Sequence, residues 1–518
     1  MRYLRQNFLL LVITCLSGTL TGQDTATKGK IVDSQTNLPV PFASIKIKAK
    51  MMGVVSNSNG EFQIPREFSD VADSIVISCI GYTTKIVSFR DLQESAFNLI
   101  KIEPSVFSLD EVVITPKKKK KLSASKVLNM AIANLRVNYP QEPYSYIGYY
   151  RDYQLSDTNY INLNEAIVEV HDQGFSTDDF METAIELLDY NKNIDFPRDS
   201  STTQPYDNEP GKYGRGKNKY IPNAVLSPLG GNELSILRLH DAIRNYKQFS
   251  YSFVDVFVDD FEKNHFLKLE ENVNLDTITL YCISFKSKYD ASGPRNFSEG
   301  RIFIENQNFA IHKIEYSTYN KTMKETQLMY NIQTEYFRVE PYMYLNYISF
   351  NNGFKTHNDT DFKVIEISYR KEKNSFVLDF NAIPEKISVT DTSNYVFTIE
   401  HKQLRIQQAH LTGDRQVTLF LDNPSAAHLA NFSDEMSSKL NLSTKNIRDV
   451  NNRELDKVTN STVFQFRELF VQKVFPGKPA PIRGEFINKS APLSPEVVSK
   501  SPKEDKDFWM NSPLRKKQ

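Results

Sequence analysis

The alternation of apolar and polar positions is clearest between residues 28 and 115. Val40–Ile47 puts Ala43, Ile45 and Ile47 on one face and Phe42, Ser44 and Lys46 on the other, the period-two pattern of a strand with one wet face. Lys30–Val32 predicts a short strand before it. Asp73–Cys79 is a near-continuous apolar run that predicts an inner strand, and Gly81-Tyr82 breaks it before a further strand over Thr84–Phe89. Asn59-Gly60 stands between Gly53–Ser56 and Glu61–Ile64. Asn-Gly supplies the positive φ of a two-residue hairpin turn, so a hairpin is predicted there. Short strands separated by turn residues argue for a sandwich rather than a parallel α/β sheet.

The pattern changes at Pro116, where Lys117–Lys121 forms a run of lysines. In an otherwise neutral chain such a run reads as a solvated linker, placed at residues 116–122. Ser123 can then cap a helix whose Val127, Leu128, Ala131, Ile132 and Leu135 share one face, closed by Tyr139-Pro140. Two aromatic strands follow, Tyr144–Leu155 and Tyr160–His171, turning at Asp157-Thr158-Asn159. Residues 173–250 are irregular: Phe180–Tyr190 and Glu233–Tyr246 read as helical, and the Gly/Lys-rich Asn208–Lys219 as a mobile excursion. Strands resume with Phe266–Asn272, Thr277–Phe285, Gly300–Ile304, Phe309–Tyr316 and Thr326–Val339. Tyr342–Phe350, Phe362–Arg370 and Tyr395–Ile406 continue the series. Residues 123–475 therefore form a larger antiparallel β domain with a few helices. Residues 476–518, rich in Pro, Ser and Lys, form a flexible tail with apolar side chains gathered at Phe508-Trp509-Met510. The fold class is mainly β.

Composition sharpens this reading. Lys plus Arg number 63 and Asp plus Glu 63, so no net charge favours nucleic acid or an anionic membrane. Phe 34 and Tyr 26 against a single Trp suit pleated surfaces. Residues 1–22 read as a signal peptide: Arg2 and Arg5, the apolar Phe8–Leu16, then small residues up to Gly22. Thr14 before Cys15 argues against lipid attachment. No apolar run in the mature chain reaches spanning length. Cys79 and Cys282, both in apolar strands, are expected as free thiols.

The order of motifs carries a resemblance. Gly29-Lys30-Ile31-Val32-Asp33, Leu38-Pro39-Val40-Pro41-Phe42-Ala43-Ser44-Ile45, Ser56–Phe62, Ile77–Tyr82 and Leu109–Ile114 together are similar to the carboxypeptidase-regulatory-like domain. That family is a transthyretin-like, seven-stranded sandwich common at the N-terminus of exported Bacteroidetes proteins, including TonB-dependent receptors. The resemblance implies an accessory module at residues 28–115 without catalytic residues, in an exported protein of the periplasm, outer membrane or cell surface. Tyr144–Asp152, after the helix, is similar to larger proteins that pair this sandwich with a second exported domain. The hairpin Gly300–Glu305/Phe309–Glu315 resembles the lipoprotein-carrier-like fold, in which a curved sheet wraps a helix and can hold an acyl chain.

No catalytic motif stands in the sequence. There is no phosphate-binding Gly-x-x-x-x-Gly-Lys-Ser/Thr loop, nucleophile elbow or His-Glu-x-x-His helix. Gly211, Gly214 and Gly216 lack a strand-to-helix context. His312-x-x-Glu315 has metal-ligand spacing, but positions three apart on a strand face opposite ways. Asp259-Asp260 and Glu270-Glu271 read as solvated strand ends, and Ser56–Gly60 lacks the carboxylates of a calcium loop. No catalytic, cofactor or metal residue is therefore assigned. The expectation is a non-enzymatic exported envelope protein with a binding or assembly role, its partner an outer-membrane protein or receptor. The alternatives are a carrier of a lipid or other hydrophobic ligand and, behind it, a hydrolase.

Overall fold

The computed structural model describes residues 26–48, 52–69, 72–93, 97–105, 122–156, 159–199, 202, 219–220, 232–248, 257–288, 296–321, 326–356, 362–399, 402–429, 440–456, 461–499 and 508–514. The leader, the lysine linker and nearly all of Asn208–Lys219 lie outside the described residues. Two compact units are present: the N-terminal residues with Val273–Thr279 and Trp509 onward, and Pro116–Asn272 with Leu280–Phe508. The mainly β class is borne out in both.

The N-terminal unit holds two small sheets built from β1 (Ala26–Asp33), β2 (Ser44–Ile47), β3 (Gly53–Val55), β4 (Glu61–Pro65), β5 (Ser74–Ser78), β6 (Lys85–Ser88) and β7 (Phe97–Ile102). Their orders are β4-β1-β7 and β3-β2-β5-β6. Ile31, Ala43, Ile45, Ile47, Ile75 and Ile77 meet in the core, as the alternation predicts. The predicted hairpin does not form. β3 pairs with β2 and β4 with β1, so the Asn59-Gly60 turn carries the chain from one sheet to the other. Asn57 Oδ1 accepts the N–H groups of Asn59 and Glu61, which tightens the turn. Gly60 has φ +75°, and a Cβ there would sit 2.5 Å from the Ile31 carbonyl oxygen, so the turn needs its glycine.

The larger unit is dominated by one antiparallel sheet. Its strands are β8 (Tyr144–Ser156), β9 (Asn159–Asp172), β10 (Ala184–Lys192), β11 (Lys219–Tyr220), β12 (His265–Leu269), β14 (Ile278–Ser287), β15 (Asn296–Glu305), β16 (Ile311–Lys321), β17 (Thr326–Val339), β18 (Tyr342–Thr356) and β26 (Ser461–Pro476). A short β13 (Val273–Leu275) groups instead with the N-terminal unit, where the Asn274 carbonyl accepts the Gly81 N–H. The main order is β10-β9-β8-β26-β18-β17-β16-β15-β14-β12. Phe180–Tyr190, expected as a helix, is a single turn at Asp179–Glu182 followed by β10, because Glu186 and Leu187 find pairing partners on β9. Glu233–Leu239 is helical as predicted, but the helix ends at His240.

One face of the sheet wraps helices. Ser123 caps Ala124–Ala133 by accepting the Lys126 N–H at 3.2 Å. That helix buries Val127, Leu128 and Ala131 against Ile302, Ile304, Ile314 and Tyr316 of the sheet, with Leu234 and Leu237 in the same core. Each such aliphatic side chain removed from water stabilises the fold by about 1.5–3 kcal/mol.

Between β18 and β26 the chain makes a separate, smaller body. It comprises β19 (Val364–Arg370), β20 (Ser375–Phe380), β21 (Tyr395–Ile399), β22 (Lys402–Leu404), β23 (Ile406–Gly413), β24 (Gln416–Leu421) and β25 (Leu440–Thr444). These form two sheets, β19-β20-β24-β23 and β22-β21-β25, around their own core of Phe376, Phe397, Leu419 and neighbours. The strands expected at Phe362–Arg370 and Tyr395–Ile406 thus exist, but not in the main sheet.

The tail also departs from expectation. Ile487 N–H donates to the Ile185 carbonyl and Ser499 N–H to the Leu187 carbonyl, so the tail lies along β10. Trp509 packs in the sandwich core. A few well-placed apolar and amide groups anchor a segment whose average composition is that of a loop.

Candidate binding surface

The helix-facing side of the large sheet is packed. Two spaces there are about 10 Å³ each, room for one water molecule. The first is lined by Tyr144, Tyr146, Asp172, Asp179, Arg238 and Asp241, among others. These groups are paired with one another. Arg244 makes a two-pronged bond to Asp172 at 2.8 and 3.0 Å, and Arg238 bonds Asp179 and Tyr146. Burial alone would raise the Asp179 carboxyl, but Arg238 and Arg244 hold it down at about 2. Asp241 is pushed the other way, to about 6, chiefly by burial. It accepts from Tyr336 at 2.7 Å and from the N–H groups of Ile243 and Arg244. The cluster fastens the Glu233–Leu239 helix and the turn after it to the sheet, and leaves no room for a substrate.

A second buried charge sits on the opposite face of β8. Arg151 is 1 % exposed and bonds Glu468 on β26. Its guanidinium lies 5.3 Å from the ring centres of Tyr153 and Phe470. Arg467, one residue before Glu468, points to the helix side and bonds Glu233 and Asn352. The two arginines anchor β26 between its neighbours from both faces.

The open concavity lies elsewhere, on the solvent face of β12 and β14–β17. Its volume is about 740 Å³. Phe266 and Lys268 come from β12, Ser284 and Lys286 from β14, Glu299 and Arg301 from β15. Glu315, Ser317 and Tyr319 come from β16, and Asn331 and Gln333 from β17. These are the outward members of strands whose inward members, such as Ile302, Ile314 and Ile332, form the core. Arg301 bonds Glu315 at 2.7 Å, and Lys313 adds a second contact at 3.0 Å. Burial alone would raise the Glu315 carboxyl, but Lys313 and Arg301 hold it below the ordinary value. Phe297 stacks on Tyr319 with ring centres 5.1 Å apart, and Lys286 sits 4.9 Å over Phe297. Phe266 is 66 % exposed. The surface offers one exposed ring at Phe266, half-buried rings at Phe297 and Tyr319, mixed charges and amides. Such a surface can bind an extended polar segment.

Gly300 shapes this region. A Cβ there would lie 1.8 Å from the Glu315 carbonyl oxygen and 2.6 Å from the Phe285 ring, so only glycine allows the approach of β15 and β16.

The residues weighed in the sequence fall apart in space. His312 Nε2 is 3.1 Å from Glu305, while Glu315 pairs with Arg301 and Lys313, so the two have no partner in common. Among the described residues no three His, Cys, Asp or Glu side chains form a metal cluster. Asp260 faces Lys263 on the surface, and Glu270 is held by Lys268 and Ser284. Among the described residues neither Cys79 nor Cys282 is in a disulfide. Gly211, Gly214 and Gly216 lie outside the described residues. The groove is not legible in the sequence: Glu299 and Arg301, Lys313 and Glu315, and Asn331 and Gln333 recur at every second position, but only the pairing of their strands puts them on one face.

Comparison with known families adds one assignment. Residues 27–114 match the CarboxypepD_reg-like domain. The carboxypeptidase-regulatory-like domain therefore occupies the sandwich, as its motif order implied. A search of curated proteins gives no match. Among solved structures, a DUF1329 family protein from Desulfovibrio piger shares 9% identity, with 45% of this chain and 87% of that one covered and a TM-score of 0.21. A putative outer membrane lipoprotein-sorting protein domain from Vibrio parahaemolyticus shares 10%, with 44% and 86% covered and again a TM-score of 0.21. Likeness at that level does not fix a shared fold. No helix among the described residues is long and apolar enough to cross a membrane.

Proposed function

We propose that this chain is a non-enzymatic, exported component of the cell envelope that binds a partner protein, with an outer-membrane receptor the expected class. In this reading the N-terminal carboxypeptidase-regulatory-like domain is an accessory module, and the second domain carries the contact surface. The observation that supports it is the groove on β12 and β14–β17. It is wide, polar and aromatic, and it backs onto a filled core. Exposed aromatic rings and an arginine are the side chains that most often anchor protein contacts. A neutral chain with mixed charges in the groove fits a partner recognised by shape and paired charges rather than by bulk electrostatic attraction.

A hydrophobic-ligand carrier needs a continuous apolar cavity of about 300 Å³ or more. The spaces against the helices, about 10 Å³ each, do not supply one. The proposal is tested by placing a photo-crosslinking residue at Phe266 or Tyr319, with exposed Ile387 as control, and irradiating cells. Adducts of one defined protein at the two groove positions and not at the control support the reading. Adducts at the control alone, or at neither groove position, overturn it.

A further inference from the structure

The sandwich core contains a side chain from the far end of the sequence. Trp509, the chain's single tryptophan, is 8 % exposed and joins Ile31, Phe62, Ile64 and Phe68 in one cluster. Its ring centre is 4.7 Å from that of Phe68, and its Nε1–H donates to the Gln63 carbonyl at 3.0 Å. Asn511 Oδ1 accepts the Gln63 N–H at 2.9 Å, while its Nδ2 donates to the Val55 carbonyl at 3.3 Å. Gln63 Nε2 donates to the Ser512 carbonyl at 2.8 Å. Gln63 is on β4, which among the described strands pairs with β1 alone, and Val55 is on β3, an edge of the other sheet.

Both backbone groups of Gln63 are thus satisfied by side chains of a distant segment rather than by a neighbouring strand. An open sheet edge is a template for recruiting a peptide. Here the recruiting combines an aromatic anchor in a pocket with an amide that reads both edges. The family match covers residues 27–114, so residues 509–512 reach this core from outside the matched domain and from the other end of the chain.

We propose that the β3/β4 edge is a peptide-recognition site for a Trp-x-Asn-Ser segment, and that the chain's own residues Trp509–Ser512 are its ligand, held reversibly. This site is independent of the groove, and its failure would leave the groove reading standing.

The test uses the full chain carrying Trp509→Ala and Asn511→Ala, which contains no tryptophan. The probe is a synthetic peptide of residues 508–514, whose indole is then the only tryptophan present and is excited selectively over the tyrosines. Saturable blue-shifted emission is expected with this variant. At the same concentrations little is expected with the wild-type chain, whose site is filled. Replacing the peptide's asparagine by alanine should weaken binding tenfold or more. Emission that stays solvent-like, with the variant's circular dichroism unchanged, overturns the proposal. If the variant loses the sandwich fold, the segment is part of the core and the proposal also falls. Hydrogen exchange on the wild-type chain gives an independent reading. Reversible holding predicts that the Gln63 amide exchanges at least tenfold faster than those of Ile45 and Ile77, whereas equal protection contradicts it.

Discussion

Asp241 offers a sharp test of the claim that the buried charges are structural. Its carboxyl is 5 % exposed and titrates at about 6, raised by burial from the ordinary 3.8. Because the folded value lies above the unfolded one, the folded chain keeps a proton that the unfolded chain releases. The associated stability is fully present below 3.8 and is lost as pH rises through about 6. A separation of this size corresponds to about 3 kcal/mol. Asp241→Asn keeps an oxygen for the Ile243 and Arg244 N–H groups and places an amide that can donate to the Tyr336 oxygen. It removes the charge without removing the contacts. Urea denaturation followed by far-ultraviolet circular dichroism at about pH 4 and about pH 8 measures the effect. The variant should gain on the wild type by about 2.5 kcal/mol between these conditions, with the gain at high pH. Asp152, also near 6, is present in both proteins and cancels in the difference. A difference that stays constant with pH, or a variant that loses ground at high pH, would refute the reasoning.

Other outcomes follow from the same structure. Arg151→Met should cost about 3–5 kcal/mol because it strands a buried carboxylate, and adding Glu468→Gln should recover most of it; urea midpoints of both variants decide. Gly300→Ala should cost about 1–3 kcal/mol by forcing β15 from β16, seen as a lowered Tm. Tyr319→Ala with Arg301→Glu removes the Phe297 stack and sets a second carboxylate opposite Glu315, so it should cost about 1–2 kcal/mol by urea denaturation and leave the sheet folded. A larger loss would mean that the groove residues hold the sheet together.

The parts legible in the sequence are those fixed by near neighbours. The Ser123-capped helix, the β8/β9 hairpin and the alternating β17 follow from local period and turn chemistry, and the structure places them where expected. The Asn59-Gly60 turn forms as its sequence predicts but does not join a hairpin, because its backbone geometry is local while strand partners are chosen by the core. β26 escaped notice as a central strand. Its pairing with β18 and β8 joins Arg467 to Asp152 across more than three hundred residues, and no local pattern encodes that. β10 read as a helix because Ile185 and Leu187 sit among acidic residues that suit either state. The groove needed the register of five strands before its residues could be seen to share a face. The anchoring of Trp509 depends on an open backbone edge at Gln63, a feature that no reading of side chains reveals.

Native mass spectrometry of the protein taken from its own envelope fraction, wild type beside Arg301→Glu/Tyr319→Ala, bears most directly on the proposed binding role. A stoichiometric protein partner on the wild type that disappears from the variant, shown by circular dichroism to be folded, is the predicted result. A partner retained by the variant, or a bound acyl species in place of any protein, would contradict it.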